Sequence, residues 1–233
     1  MRTMGLIGGL SWESSRDYYR IVNEEVNSRL GGLHSAPCVL SSLDFDPLAR
    51  AMAAGEWEIC RRLVVDSACR LQRAGADFLL ICSNTMHAFA GDVEARTGLP
   101  LLHIVDAIGR PAGERGFRTV GLLGTRALME ADHYRRRMEE NWGLSVLVPD
   151  AEERETVNEV IFGELCRGRV LDASRQVFLK IMENLAARGA EAVVLGCTEI
   201  PMLVGAGDTE LPLFDSLRLH ALAAVDLSLA EEG

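Results

Sequence analysis

An α/β fold is predicted, made of two similar doubly wound parallel-sheet domains that a pseudo-twofold axis relates, with the site in the cleft between them. Three observations predict it. Segments recur in order along the 233 residues: 3–9 matches 119–125, 75–85 matches 189–199, and 99–102 matches 211–214, at offsets of 116, 114 and 112. Apolar runs of strand length alternate with stretches of helical periodicity, the pattern of a parallel sheet covered by helices on both faces. Glycines and small polar residues then follow the strand runs, at the carboxyl ends where open parallel sheets bind ligands. Reuse of an apolar strand followed by glycine would explain one matched pair, but not three in order. The period is too long for a solenoid and means two domains.

The strands follow in order. The first half has them at 3–8, 37–43, 77–82 and 101–104, and the second near 119–124, 144–148, 191–196 and 211–214. Between them, Trp57, Cys60, Leu63, Val64, Ala68 and Leu71 form a stripe spaced three and four apart, which predicts a helix over 56–73 closed near Gly75. Asp150 and Glu153 have the spacing of a capping box. Asp172 opens a helix over 173–187 that Gly189 ends. No Pro- or Ser-rich linker parts the halves, and the expected division is 1–101 with 211–233 against 102–210.

Composition excludes several classes of function. With 34 acidic and 24 basic residues the net charge is −10, which disfavours nucleic acid and anionic membranes as partners. No run approaches transmembrane length, and no apolar leader follows a basic stretch. The six cysteines lack CxxC pairs, and the five histidines are scattered, so no metal site is expected and free thiols in a reducing cytoplasm are. Gly8-Gly9 lacks the third glycine of a dinucleotide fingerprint, and no phosphate loop occurs. The expected chemistry needs no cofactor.

Four strand ends are expected to meet: residues 8–11, 83–85, 124–125 and 197–199. In register, Ser83 of the first copy faces Cys197 of the second, and Cys82 lies one place away. Hydroxyls, an amide and helix N-terminal N–H groups at such ends suit a carboxylate. A cysteine at a helix N-terminus is expected to have a lowered pKa. A hydroxyl and a thiol on opposite sides of one carbon fit removal of a proton from one face and its return to the other, with donors stabilising the enolate.

On Ser83-Asn84-Thr85, Gly196-Cys197-Thr198-Glu199 and the opening Gly8-Gly9-Leu10-Ser11-Trp12-Glu13-Ser14, the chain resembles the aspartate/glutamate racemase family over essentially its whole length. The resemblance implies racemisation of an amino acid by two bases without pyridoxal phosphate, in a homodimer, with the C-terminal helix returning to the first domain. It also implies that Asn84, Thr85, Thr125, Thr198 and the backbone near Leu10 hold the α-carboxylate and α-amino group. Glu199 would orient the amine or adjust the thiol.

Two departures stand out. Family racemases use two thiols, whereas position 83 is serine. Three readings follow: Ser83 passes a proton with help from water, Cys82 supplies the second thiol although strand alternation turns it away, or Cys197 acts alone. The last reading resembles decarboxylases and isomerases of dicarboxylic acids; an idle binding protein is the non-enzymatic alternative. The second departure concerns the substrate side chain. Strict aspartate members grip its carboxylate with an arginine and a lysine, but Arg50 is an uncertain match and residues 162–167 hold no lysine. A wider range of amino acids is therefore open. His87 is expected to be a helix residue with a local partner, and Cys38, Cys60 and Cys166 to be small core residues.

Overall fold

The computed structural model describes residues 1–230. It divides into two compact units, one formed by Met1–Ile104 with residues 217–230, the other by Val105–Ser216.

In the first unit, β1 (Met4–Gly8) leads through α1 (Trp12–Leu30) to β2 (Cys38–Ser42). Then α2 (Phe45–Ala53) and α3 (Trp57–Arg73) precede β3 (Phe78–Ile81), and α4 (Ala90–Thr97) follows it. The three strands are parallel in the order β2-β1-β3. β1 is wholly buried, as its apolar, glycine-spaced run requires of a central parallel strand. Helix α3 buries Cys60, Val64, Ala68 and Leu71 of the predicted stripe, while Leu63 is partly buried and Trp57, at its first turn, is exposed; Gly75 follows the helix at φ 86°. Gly9 is required by the turn after β1. Its φ is 72°, and a Cβ there would lie 2.1 Å from the Leu43 carbonyl oxygen.

The second unit begins within α5 (Ile104–Glu114) and continues through β4 (Thr119–Leu123), α6 (Arg126–Met129), α7 (Asp132–Trp142) and β5 (Ser145–Leu147). Next come α8 (Ala151–Gly163), α9 (Asp172–Ala187), β6 (Ala192–Leu195) and β7 (Leu213–Asp215). Its four parallel strands take the order β5-β4-β6-β7. The capping box is present at the start of α8: Glu153 N–H donates to Asp150 Oδ1 at 2.9 Å, and Asp150 N–H to Glu153 Oε2 at 3.2 Å. Asp172, by contrast, is not a cap. It is the first residue of α9, after Leu171, and its carboxylate turns to Arg175 Nη1 at 2.6 Å.

The expected strand at 101–104 is reduced to one bridge, Leu79 with Leu101, and the chain enters α5 at Ile104. Its repeat at 211–214 became β7, paired with β6 over three residues. The difference has a cause in side chains. The Leu102 carbonyl accepts from His220 Nε2 at 2.9 Å, and Ile104 N–H donates to His87 Nε2 at 3.2 Å. Imidazoles thus take the backbone groups that would have prolonged the ladder.

Helix α10 (Ser216–Leu229) packs Leu217, Ala221, Ala224 and Val225 against Met4, Leu6, Phe78, Leu80, Tyr18 and Val22. Within it His220 is fully buried. Since the Leu102 carbonyl can only accept, Nε2 carries the proton and Nδ1 accepts from the Tyr18 hydroxyl at 2.8 Å. Burial pushes its pKa down to about 4 from 6.5, so the folded protein holds a neutral ring where the unfolded chain would charge it. Stability from this residue is complete above pH 6.5 and declines by roughly 3 kcal/mol between about pH 6.5 and 4. Urea unfolding at pH 7 and pH 5 should register this decline, and His220→Gln should flatten it; an unchanged slope would refute the assignment.

Candidate active site

In the first unit β1 and β3 are neighbours in register from Met4↔Phe78 to Ile7↔Ile81. Their carboxyl ends, residues 8–11 and 82–85, therefore emerge at the same sheet edge. The turn after β1 is pinned by serines: Gly9 N–H donates to Ser15 Oγ at 2.8 Å, and the Ser15 and Ser14 hydroxyls donate to the Ser11 carbonyl at 3.0 and 3.1 Å. Ser11 Oγ is buried without a hydrogen-bond partner. Leu10 buries its side chain in the core with Ile7 and Leu48, which leaves only its backbone for a polar ligand.

At the end of β3, alternation separates Cys82 from Ser83 as expected. Cys82 is fully buried among Met4, Leu6, Tyr18 and Leu80, and burial drives its thiol pKa far up. It is a core residue whose surroundings disfavour the thiolate. Ser83 is half-buried, and Met86 N–H points at its hydroxyl oxygen from 3.5 Å. Asn84 and Thr85 are buried at the start of a 3-10 turn, Thr85–Phe89. His87 in that turn is buried too, with Nδ1 2.6 Å from the Ser83 carbonyl. Arg50 stands apart on exposed α2, paired with Asp46 Oδ2 at 2.9 Å.

The second unit repeats the arrangement. β4 and β6 are neighbours from Val120↔Ala192 to Leu123↔Leu195, so residues 124–125 and 196–199 leave the same edge. Gly196 is closely packed: a Cβ there would lie 2.7 Å from Leu122 Cδ1 and 3.0 Å from the Leu123 carbonyl oxygen. Thr125 is buried and caps α6, accepting from Leu128 N–H at 3.1 Å.

Cys197, Thr198 and Glu199 form a compact buried group. Cys197 Sγ donates to Glu199 Oε2 at 3.1 Å, and Thr198 Oγ1 donates to the same oxygen at 2.9 Å. Glu199 Oε1 is buried with no hydrogen-bond partner. The expectation of a lowered thiol pKa is overturned: Cys197 lies well above the ordinary cysteine value. Burial is the main cause, then the Glu199 charge and Cys166; the Glu199 backbone N–H opposes them. The element after Cys197 is only a three-residue 3-10 turn, Ile200–Met202, too short to provide a compensating helix dipole. Burial and the Glu199 side chain thus both favour the thiol over the thiolate at Cys197.

Cys166 was assigned to the core from sequence. It is only partly buried, and its thiol is raised to about 12 by burial and by the Glu199 charge, which brings it into the electrostatic neighbourhood of Cys197. Thirty-odd residues of chain separate the two, and no local pattern marks the pairing. Among the described residues no group of three or more His, Cys, Asp or Glu side chains could hold a metal ion, and no helix is long and apolar enough to cross a membrane.

A family model described as Asp/Glu/hydantoin racemase matches residues 7–224. A crystal structure from Yersinia pestis, provisionally assigned as an Asp/Glu racemase, superposes with TM-score 0.90 at 44% identity, over 99% of this chain and 100% of that one. An aspartate racemase homologue from Pyrococcus horikoshii OT3 gives TM-score 0.84 at 32% identity, over 99% and 100%. The broad specificity amino-acid racemase RacX of Bacillus subtilis (strain 168) is 22% identical over 170 residues, 73% of each chain.

Proposed function

The chain belongs to the Asp/Glu/hydantoin racemase family, a PLP-independent racemase on that ground, and we propose that it interconverts amino-acid enantiomers through Cys197 and Ser83. The supporting observation is the Cys197–Glu199 contact of 3.1 Å at the end of a central parallel strand. Glu199 is positioned to take the thiol proton, leaving a thiolate and a carboxylic acid. An α-ammonium group against the unpartnered Oε1 would add the positive charge that favours separation of that proton from sulfur. The thiolate then takes the α-proton and becomes a thiol, while the electron pair passes into the substrate carboxylate as an enolate. The Ser83 hydroxyl gives its proton to the opposite face, and the resulting alkoxide is reprotonated from water while Glu199 releases to solvent the proton it took, which restores the starting thiol and carboxylate.

Asn84, Thr85, Thr125, Thr198 and the backbone at Leu10 are proposed to hold the carboxylate and amine, as polar groups at these strand ends. The substrate is aspartate, glutamate or a broader set. Breadth is favoured by Cys166, a neutral group near Cys197 in a segment without lysine, and by the likeness to a racemase described as broad in specificity. The reading carries with it a homodimer in the cytoplasm that uses no cofactor. One observation favours a second reading, proton handling by Cys197 alone: serine at position 83 is a poor base.

Incubation with single L-amino acids in deuterated water separates these. Deuterium at Cα together with the D-enantiomer is the expected result. Exchange with retention would replace it with the one-sided reading, and neither exchange nor inversion across acidic and neutral amino acids would refute both.

A further inference from the structure

The residue that holds Ser83 in place is identifiable, and the argument rests on the reading that Ser83 delivers a proton. His87 is buried, and both of its ring nitrogens are engaged by backbone groups. The amide of Ile104, 3.2 Å away, can only donate, so Nε2 is the unprotonated nitrogen. The ring proton is then on Nδ1 and is donated to the Ser83 carbonyl at 2.6 Å. Both distances are satisfied by one neutral tautomer.

The carbonyl and the hydroxyl-bearing Cβ of Ser83 share one Cα. Fixing the carbonyl direction sets ψ of residue 83 and the cone on which Oγ turns. The other end of the imidazole is anchored to a segment that is itself held, because the Leu102 carbonyl accepts from His220 Nε2 at 2.9 Å and His220 is braced by Tyr18 at 2.8 Å. His103 and His220 lie beside the His87 ring, with centroids at 4.6 and 5.6 Å. The ring is thus buried, bonded at both nitrogens and flanked by two other imidazoles, and it links the position of residues 102–104 to Ser83. We propose that His87 is a positioning residue whose Nδ1–H, held to the Ser83 carbonyl by its Nε2 anchor on Ile104, aims the Ser83 hydroxyl at the substrate.

Two substitutions separate aiming from mere packing. Asparagine places an amide N–H near the Nδ1 position, whereas glutamine reaches the Nε2 position and abandons the Ser83 carbonyl. The assay follows inversion and deuterium exchange in parallel, from the enantiomer that Ser83→Ala still exchanges. In that enantiomer Cys197 can remove and return the proton, so exchange needs no help from Ser83, while inversion does. His87→Gln should lower inversion by about 10²-fold, the effect of an ångström-scale misplacement, with exchange nearly unchanged. His87→Asn should recover most of the inversion. A loss of both in equal proportion, or no advantage of Asn over Gln, would overturn the proposal. For variants that do not fold, ¹⁵N shifts of the wild-type imidazole decide: an Nε2–H tautomer at His87 removes the contact on which the proposal stands. Failure of the wild-type protein to invert any substrate is a separate result and refutes the racemase reading itself.

Discussion

Replacing Cys197 with alanine abolishes inversion and α-proton exchange together, a loss of about 10⁴-fold, the upper end of what a positioned base contributes. Its thiol is the one group at the second-unit strand ends that can become a strong base, and it already donates to Glu199 Oε2 at 3.1 Å. No neighbour can replace it. Cys166, the other thiol in that electrostatic neighbourhood, is held protonated by burial and the same carboxylate. The fold should survive, since alanine deletes a single atom and adds none; a change in unfolding free energy of about 1 kcal/mol is expected. Chiral chromatography and mass spectrometry in deuterated water check the result. Undiminished turnover in Cys197→Ala would sink the whole assignment.

Ser83→Cys is expected to accelerate racemisation by about 10- to 10²-fold, which is part of the range for general acid–base catalysis. A free thiol ionises near pH 8.5, far more readily than an aliphatic hydroxyl. The half-buried position with Met86 N–H directed at the side-chain atom offers a thiolate one further donor. The L and D enantiomers have equal free energy, so kcat/KM must rise by the same factor in both directions. A gain seen in only one direction would indicate a faulty assay, and an unchanged or lower kcat/KM in both would remove Ser83 from proton transfer. Cys82 offers no shortcut to this gain, because it is fully buried on the opposite side of the strand.

Much of the fold was legible because it is written in local, repeated patterns. The apolar run Phe78–Ile81 and its repeat Ala192–Leu195 are strands in either context, since a central parallel strand must be apolar on both faces. The stripe Cys60, Val64, Ala68, Leu71 was enough to place α3, and the Asp150–Glu153 spacing was enough to cap α8. Where the expectation failed, a specific side chain intervened. Residues 101–104 have the strand pattern of their repeat, yet His87 and His220 take their backbone groups. Asp172 looks like a cap, but the closest cation, Arg175, takes its carboxylate. The lowered pKa expected of Cys197 assumed a helix dipole; burial and Glu199 outweigh a three-residue turn.

The sequence by itself determined the α/β class, the internal duplication and the strand ends that carry Ser83 and Cys197, each of which depends on periodicity or on neighbours within a few residues. Tertiary structure alone decided the direction of the Cys197 pKa shift, the approach of Cys166, and the histidine frame behind Ser83. The burial of Cys197, the Cys166 neighbourhood and the anchoring of residues 102–104 depend on residues remote in the chain, such as His220 on Leu102, and no local pattern encodes such distances.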